Sequence, residues 1–398
     1  MAFDASNSNP LSWISVALAE LEARDQRRHL TFRESPPVGG QTQIAGRAYL
    51  NFSSNDYLGL AADQALVEAV RHAVGQVGWG AGASPLVTGR GVLHRCLETE
   101  LARFKQAEAA LLFPTGFAAN VGVITALAGA DDVIFSDEKN HASIVDGCRL
   151  SRAKIEVFRH GDTAHLRTLL EQHRQARRRL IVTDTLFSMD GDFAPLAILV
   201  ELSQEFHAML LVDEAHATGV WGQQGTGVCE LMQVTHDVPI RVGTLSKALG
   251  SFGGFVVGSQ QLIDWIANRA RTYMFSTSQP EAISAAALAA LEIVKTQPDR
   301  RRKLIRHSDT TRRELSDQGW NCGTSHSQII PVFVSDEATG LLYHQRLKDK
   351  GLLVPVIRPP AVPEQQTLLR ISLSAAHSDS QIEQLIEAFK ELRQQVIV

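Results

Sequence analysis

Cysteine is scarce: Cys96, Cys148, Cys229 and Cys322 are the four in 398 residues, and they lie far apart. No Cys-x-x-Cys pair and no cysteine–histidine spacing of the zinc type occurs, which excludes a disulfide framework and a structural zinc site and points to free thiols in a reducing compartment. Long apolar runs are missing as well. Nowhere do about 18 apolar residues follow one another, which excludes a membrane-spanning helix. Residues 1–10, polar and rich in Asn and Ser, lack the basic-then-apolar profile of a secretory signal. A cytoplasmic protein is therefore the expectation. Excess positive charge is absent too: the formal net charge is -4, which offers no general attraction to nucleic acid or anionic membrane. Repeats and low-complexity tracts are not visible. What is present is an ordinary 44% hydrophobic content, in a chain longer than one compact core, so a large domain with a smaller one is expected.

Apolar residues at Trp13, Val16, Leu18, Leu21 and Leu30 predict an amphipathic helix over 12–30, an arm within residues 1–47. From Ala48, β-rich runs at Ala109–Phe113, Val133–Ser136, Lys154–Phe158, Leu180–Thr183, Met209–Val212 and Ile240–Thr244 alternate with helical patterns. Such alternation predicts an α/β domain over 48–289 with a mostly parallel sheet, helices on both faces and ligands at the carboxyl ends of the strands. After the Ala-rich helix 280–295 the pattern changes, and a smaller α/β domain is expected over 290–398, with strands at 329–334, 351–355 and 368–373 and a last helix from Asp379 to about Val396. The Arg runs at 177–179 and 300–302 read as solvated faces.

Lys247 is chemically conspicuous, with no other charged residue between Arg241 and Asp264. Burial or a neighbouring cation would lower its pKa and make it a nucleophile and base. Taken alone, a lysine whose stem crosses apolar surface is the commoner case. The strand at Met209–Val212, however, ends in Asp213-Glu214-Ala215-His216, which places a carboxylate and an imidazole in the same expected crevice. An Asp by itself at a strand end is most often a cap or turn former. Asp and Lys together are the pair that pyridoxal phosphate requires, the Lys to hold its aldehyde as a Schiff base and the Asp to keep the pyridine nitrogen protonated. A phosphate site is then needed. Pro114-Thr115-Gly116-Phe117 provides a glycine turn into an apolar helix, whose first N–H groups suit a dianion. His141, in Asn140-His141-Ala142-Ser143, can stack on a ring or simply cap a turn. Ser188, in Phe187-Ser188-Met189-Asp190-Gly191-Asp192, can hydrogen-bond a ring oxygen or belong to a turn.

Ser53-Ser54-Asn55-Asp56-Tyr57-Leu58-Gly59-Leu60, Gly116 to Asn120, His141-Ala142-Ser143, Phe187 to Asp192, Asp213 to His216, Thr244 to Lys247 and Phe275-Ser276-Thr277-Ser278 together resemble the α-oxoamine synthases. The likeness runs from about Trp13 to the C-terminus. It implies an aspartate-aminotransferase-like, fold type I large domain with a mostly parallel seven-stranded sheet, pyridoxal 5′-phosphate as cofactor, and a homodimer with shared active sites. By this resemblance Lys247, His141 and Asp213 are the catalytic residues: Lys247 carries the cofactor, Asp213 pairs with its pyridinium nitrogen and His141 stacks on its ring. His216 and Ser188 contact the ring hydroxyl oxygen, Gly116, Phe117 and Thr244 hold the phosphate, and Ser276 and Thr277 reach the phosphate of the neighbouring subunit.

Within this family the segment Val356 to Pro363, followed by Leu369 to His377, is similar to that of the biotin-pathway member, which joins L-alanine to a pimeloyl thioester on CoA or a carrier protein with loss of CO2. Arg370 is the expected anchor of the amino acid carboxylate, since a planar guanidinium binds both oxygens. Ala361 stands where that member commonly has Thr, which puts a hydroxyl contact to the substrate in doubt. Arg33, with Arg27 and Arg28, is a candidate contact for the acyl substrate. Ala83 and Pro85, in the glycine-rich stretch 78–85, also depart from the family pattern. Two alternatives stand beside this reading: glycine C-acetyltransferase or another α-oxoamine synthase, and a non-catalytic binding protein on the same fold.

Overall fold

The apolar runs between Ala109 and Gly258 assemble into a single sheet of seven strands. In the computed structural model, which describes residues 9–24, 26–359, 362–363 and 366–394, the order is Ala109–Phe113, Gly254–Gly258, Ile240–Thr244, Met209–Asp213, Arg179–Asp184, Val133–Asp137 and Lys154–Phe158. All six strands named from the sequence are present. The five from Ile240–Thr244 outward pair in parallel, whereas the additional strand, Gly254–Gly258, is antiparallel to both neighbours. Successive residues face opposite sides, so Leu210 and Val212 enter one hydrophobic cluster and Leu211 the other. On one side pack the helices Gly116–Leu127 and Gln260–Arg269, on the other Val92–Phe104, Leu196–Glu205 and Glu281–Thr296. Burial on both faces is the reason that the strands other than the edge strand Lys154–Phe158 read as largely apolar runs; that edge strand is buried only at Phe158.

Further along the chain, Ile329–Val334, Thr367–Ser372 and Val356–Ile357 form a three-stranded antiparallel sheet. Another sheet joins Gln41–Ile44 and Arg47–Asn51 to Leu352–Leu353. The strand expected over 351–355 is confined to Leu352–Leu353 and stops short of Pro355, which has no N–H for a ladder; Val356–Ile357 beyond it belongs to the other sheet. The N-terminal helix spans Trp13–Ala23 instead of reaching Leu30, which is 89% exposed. None of its residues is buried, so only local propensity holds it, and a helix of this length is marginal on that basis. Cys148, Cys229 and Cys322 are buried free thiols and Cys96 is exposed. Among the described residues no helix is long and apolar enough to cross a membrane.

Candidate active site

Strand ends place the chemistry. After Thr244 the chain turns sharply: Leu245 N–H donates to Gly253 O at 2.9 Å and Gly250 N–H to Lys247 O at 2.9 Å. Gly250 has a φ of +58°, and a Cβ there would lie 2.5 Å from the carbonyl carbon of Leu60, so no other residue fits without displacing backbone. The turn presents Lys247 to His216, with Nζ 2.7 Å from Nε2. Burial lowers Lys247 to about 8; Asp213 and Asp184 oppose the shift and Arg370 adds to it. A useful fraction is therefore neutral amine near neutral pH. Burial, with Lys247 and Arg370 adding, holds His216 well below the usual imidazole range, so its ring is neutral.

His216 is one link of a chain. Its Nδ1 lies 2.6 Å from the hydroxyl of Tyr57, and that hydroxyl is 3.1 Å from Asn55 Oδ1. Asn55 Oδ1 accepts from both terminal nitrogens of Arg370 at 3.4 and 3.3 Å. The Nε–H of Arg370 donates to Ser188 O at 2.6 Å. Arg370 is 6% exposed and has no carboxylate partner among the described residues, an unusual state for a buried guanidinium.

A second chain begins at Asp213. Its Oδ1 accepts from Ala215 N–H at 2.7 Å and its Oδ2 from Asn120 Nδ2 at 2.6 Å. Asn120 also donates to Ser143 Oγ at 2.9 Å, and Ser143 Oγ is 2.7 Å from His141 Nδ1. Asp184, at the end of the adjacent strand, accepts the backbone N–H of His141 at 2.7 Å. Burial, reinforced by Asp213, raises the Asp184 carboxyl well above its usual range. His141 is itself lowered by burial.

The helix Gly116–Leu127 starts beside the Lys247 turn. Thr115 caps it, accepting from Ala118 N–H at 3.0 Å, and the amides of Gly116 and Phe117 have no hydrogen-bond partner among the described residues. A Cβ on Gly116 would lie 3.3 Å from Thr244 Cβ, and one on Gly254 would lie 2.4 Å from Thr115 O. The two glycines thus leave a small concavity floored by free N–H groups and the Thr244 side chain, which suits an oxyanion.

Lys247, His216, Asp213, His141, Arg370 and Ser188 are brought together by these contacts, although Ser188 meets Arg370 through its carbonyl and not its hydroxyl. Ser276 and Thr277 line a separate small cavity with Arg90, His94 and Gln279, and no hydrogen bond joins them to Lys247. Arg33 is exposed and has no hydrogen bond or ion pair among the described residues. Ala361 lies outside the described residues. Asn55, Tyr57, Asn120 and Asp184 had no role assigned from sequence. Asn55, Tyr57 and Asn120 were visible within the quoted motifs and Asp184 directly after the strand Leu180–Thr183, but without a partner to explain them.

With the geometry in place, comparison with known proteins is decisive. The family model for class I and II aminotransferases matches residues 47–389. The chain belongs to that family. Its fold is the aminotransferase-like one expected, and it stands as an enzyme among the α-oxoamine synthases. A curated 8-amino-7-oxononanoate synthase from Anaeromyxobacter dehalogenans is 47% identical over 378 residues, covering 95% of this chain and 94% of its own. The structure of a Sphingomonas wittichii serine palmitoyltransferase superposes with a TM-score of 0.92 at 35% identity, covering 98% of this chain and 99% of its own. A structure of SPT with PLP internal aldimine gives a TM-score of 0.93 at 31% identity over 98% of this chain and 99% of its own.

Proposed function

We propose that this member of the family is an 8-amino-7-oxononanoate synthase that uses pyridoxal 5′-phosphate to condense L-alanine with a pimeloyl thioester, releasing CO2 and free thiol, in biotin biosynthesis. The observation that carries the reading is Arg370, a buried cation without a carboxylate partner among the described residues, linked through Asn55, Tyr57 and His216 to the Lys247 amine. The choice of alanine and pimeloyl rests on the 47% identity to the A. dehalogenans synthase, against 35% to the serine palmitoyltransferase.

The residues fit the cofactor. Lys247 offers an amine lowered to about 8, and the Gly116 concavity offers free N–H groups where a Cβ would crowd Thr244. Lys247 would take the aldehyde, Asp213 the ring nitrogen, His141 the ring face, and His216 with Ser188 the ring hydroxyl. Gly116, Phe117 and Thr244 would hold the phosphate, with Ser276 and Thr277 supplied by a second copy in a homodimer. Pyridoxal phosphate, when bound, supplies the electron sink that acidifies the amino acid Cα–H.

The chain's own groups do the rest. Arg370 grips the carboxylate with its two terminal nitrogens, a bidentate contact that orients Cα–H. Lys247, freed as an amine, removes the α-proton and later returns it. His216, neutral and 2.7 Å from Nζ, steadies the amine without competing for positive charge. Arg33 and the segment around Ala361 are assigned to the acyl chain.

Product analysis tests the proposal. Protein loaded with pyridoxal phosphate is offered alanine, glycine or serine against pimeloyl, acetyl and palmitoyl thioesters. Formation of 8-amino-7-oxononanoate from the alanine and pimeloyl pair alone is expected. Preferred use of glycine with acetyl-CoA, or of serine with palmitoyl-CoA, assigns the chain to another condensing enzyme instead.

A further inference from the structure

His160 lies just beyond the strand Lys154–Phe158, with 16% of its side chain exposed. Its Nδ1 is 3.0 Å from Asp137 Oδ1 and its Nε2 is 3.1 Å from Asp192 Oδ2. Ionised carboxylates only accept, so both ring nitrogens must carry hydrogen and the ring is a cation. Burial alone would lower its pKa, yet the two carboxylates prevail and hold it at about 9. Asp192 is correspondingly lowered: burial pushes it up and His160 more than offsets this.

Other groups around the ring are accounted for. Asp137 also accepts the backbone N–H groups of Lys139 and Gly161 at 2.9 and 3.1 Å. Glu138 accepts the His160 backbone N–H at 2.9 Å, and the Lys139–Asp190 ion pair flanks the site at 2.6 Å. Asp192 Oδ2 additionally accepts from Thr324 Oγ1 at 3.0 Å, while its Oδ1 is buried without a partner. The charge of Asp192 is thus answered chiefly by His160.

Asp192 closes the turn that begins at Phe187, whose ring stands edge-on to His160 at 4.3 Å and 84°. Gly191, with a φ of +70°, is pressed so close to the C-terminal sheet that a Cβ would lie 2.0 Å from Ile329 O. From this turn Ser188 O accepts the Nε–H of Arg370 at 2.6 Å, the shortest bond that Arg370 makes. We propose that His160 is a positioning residue for Arg370: as an imidazolium clamped between Asp137 and Asp192, it fixes the Phe187–Asp192 turn whose carbonyl aims the guanidinium at the amino acid carboxylate. The inference rests on the reading of Arg370 as the carboxylate anchor.

Because the pKa of the folded state is raised, the clamp is intact below the ordinary histidine value and is lost as pH rises through about 9. In the unloaded protein with 15N-labelled histidine, the His160 ring is expected to be doubly protonated at neutral pH and to titrate near 9. In H160Q, alanine should bind the loaded protein about ten- to a hundredfold more weakly, because a small misalignment of a clamp is costly. Alanine affinity in the parent, but not in H160Q, should fall across that same alkaline range. The unloaded H160Q protein should also lose protection of the Arg370 Nε–H from exchange with water. A neutral His160 ring at neutral pH overturns the proposal, as does an H160Q protein with unchanged alanine affinity and unchanged Arg370 protection. If the parent shows no response to alanine at all, it is the proposed function that fails, and the ring titration and Arg370 protection still decide the clamp. Should H160Q not fold, the titration of the parent ring decides it.

Discussion

Tyr57 sits at the middle of the chain that runs from Arg370 to Lys247, fully buried, with its hydroxyl 2.6 Å from His216 and 3.1 Å from Asn55. Burial raises its pKa, so it stays a phenol throughout the working pH range and orients the imidazole without competing for the proton. Tyr57→Phe keeps the ring in the core and leaves buried His216 Nδ1 without its partner, while Asn55 Oδ1 still accepts from Arg370; the cost is about 1–3 kcal/mol. A thermal melt should show a drop of a few degrees. The more telling readout is the pH dependence of α-proton exchange in alanine. Lys247 must be deprotonated to act, so exchange should rise as pH climbs through about 8, and the midpoint should move in the Phe variant once His216 is free to turn. An unchanged midpoint would remove Tyr57 from the chain. At this scale sequence showed which residue types were present, and it named Lys247 and His216, whose side chains lie 2.7 Å apart. Asn120 and Asp184 were not named, because a polar residue within an apolar helix or at a strand end acquires meaning only from what faces it.

Among the elements, the segment from Asp213 to Thr218 is held from behind by a buried ion pair. Lys105, which caps the helix Val92–Phe104, reaches Glu214 at 2.5 Å, Thr218 Oγ1 at 3.2 Å and Thr226 O. Glu214 also accepts Cys229 N–H at 2.9 Å. Burial pushes the Glu214 carboxyl up, but Lys105 and that N–H more than offset it, so it is held below its usual value. Lys105→Met would strand Glu214 as an uncompensated buried charge, and a loss of about 3–5 kcal/mol is expected in denaturant unfolding. Adding Glu214→Gln should recover much of that loss, and failure to do so would show that the pair does not act as a unit. The elements themselves were largely legible, since strands buried on both faces must be apolar along their whole length. The expected strand that stops at Leu353, before Pro355, and the helix that stops at Ala23 are the two places where local backbone chemistry and missing burial overrode the periodicity.

For the whole molecule, Phe275 is 69% exposed and Val87 74% exposed in a single chain, and Ser276 and Thr277 stand apart from Lys247. Both facts favour a dimer in which each copy completes the site of the other. Sedimentation should show two chains. Mixing Lys247→Ala chains with Ser276→Ala/Thr277→Ala chains should restore activity, because one site in each mixed dimer then has all its parts. No restoration would place Ser276 and Thr277 outside the working site.

The sequence by itself determined the fold class, six of the seven strands of the large sheet, and the family, because hydrophobic periodicity and strand-end motifs are local properties of the chain. Only the tertiary structure decided that Arg370 is buried against Asn55 and the Ser188 carbonyl, that Tyr57 bridges Asn55 and His216, and that His160 is clamped between two acids. Those facts depend on contacts between residues far apart in the chain, and on the low-dielectric surroundings that their packing creates, and neither can be read from spacing alone.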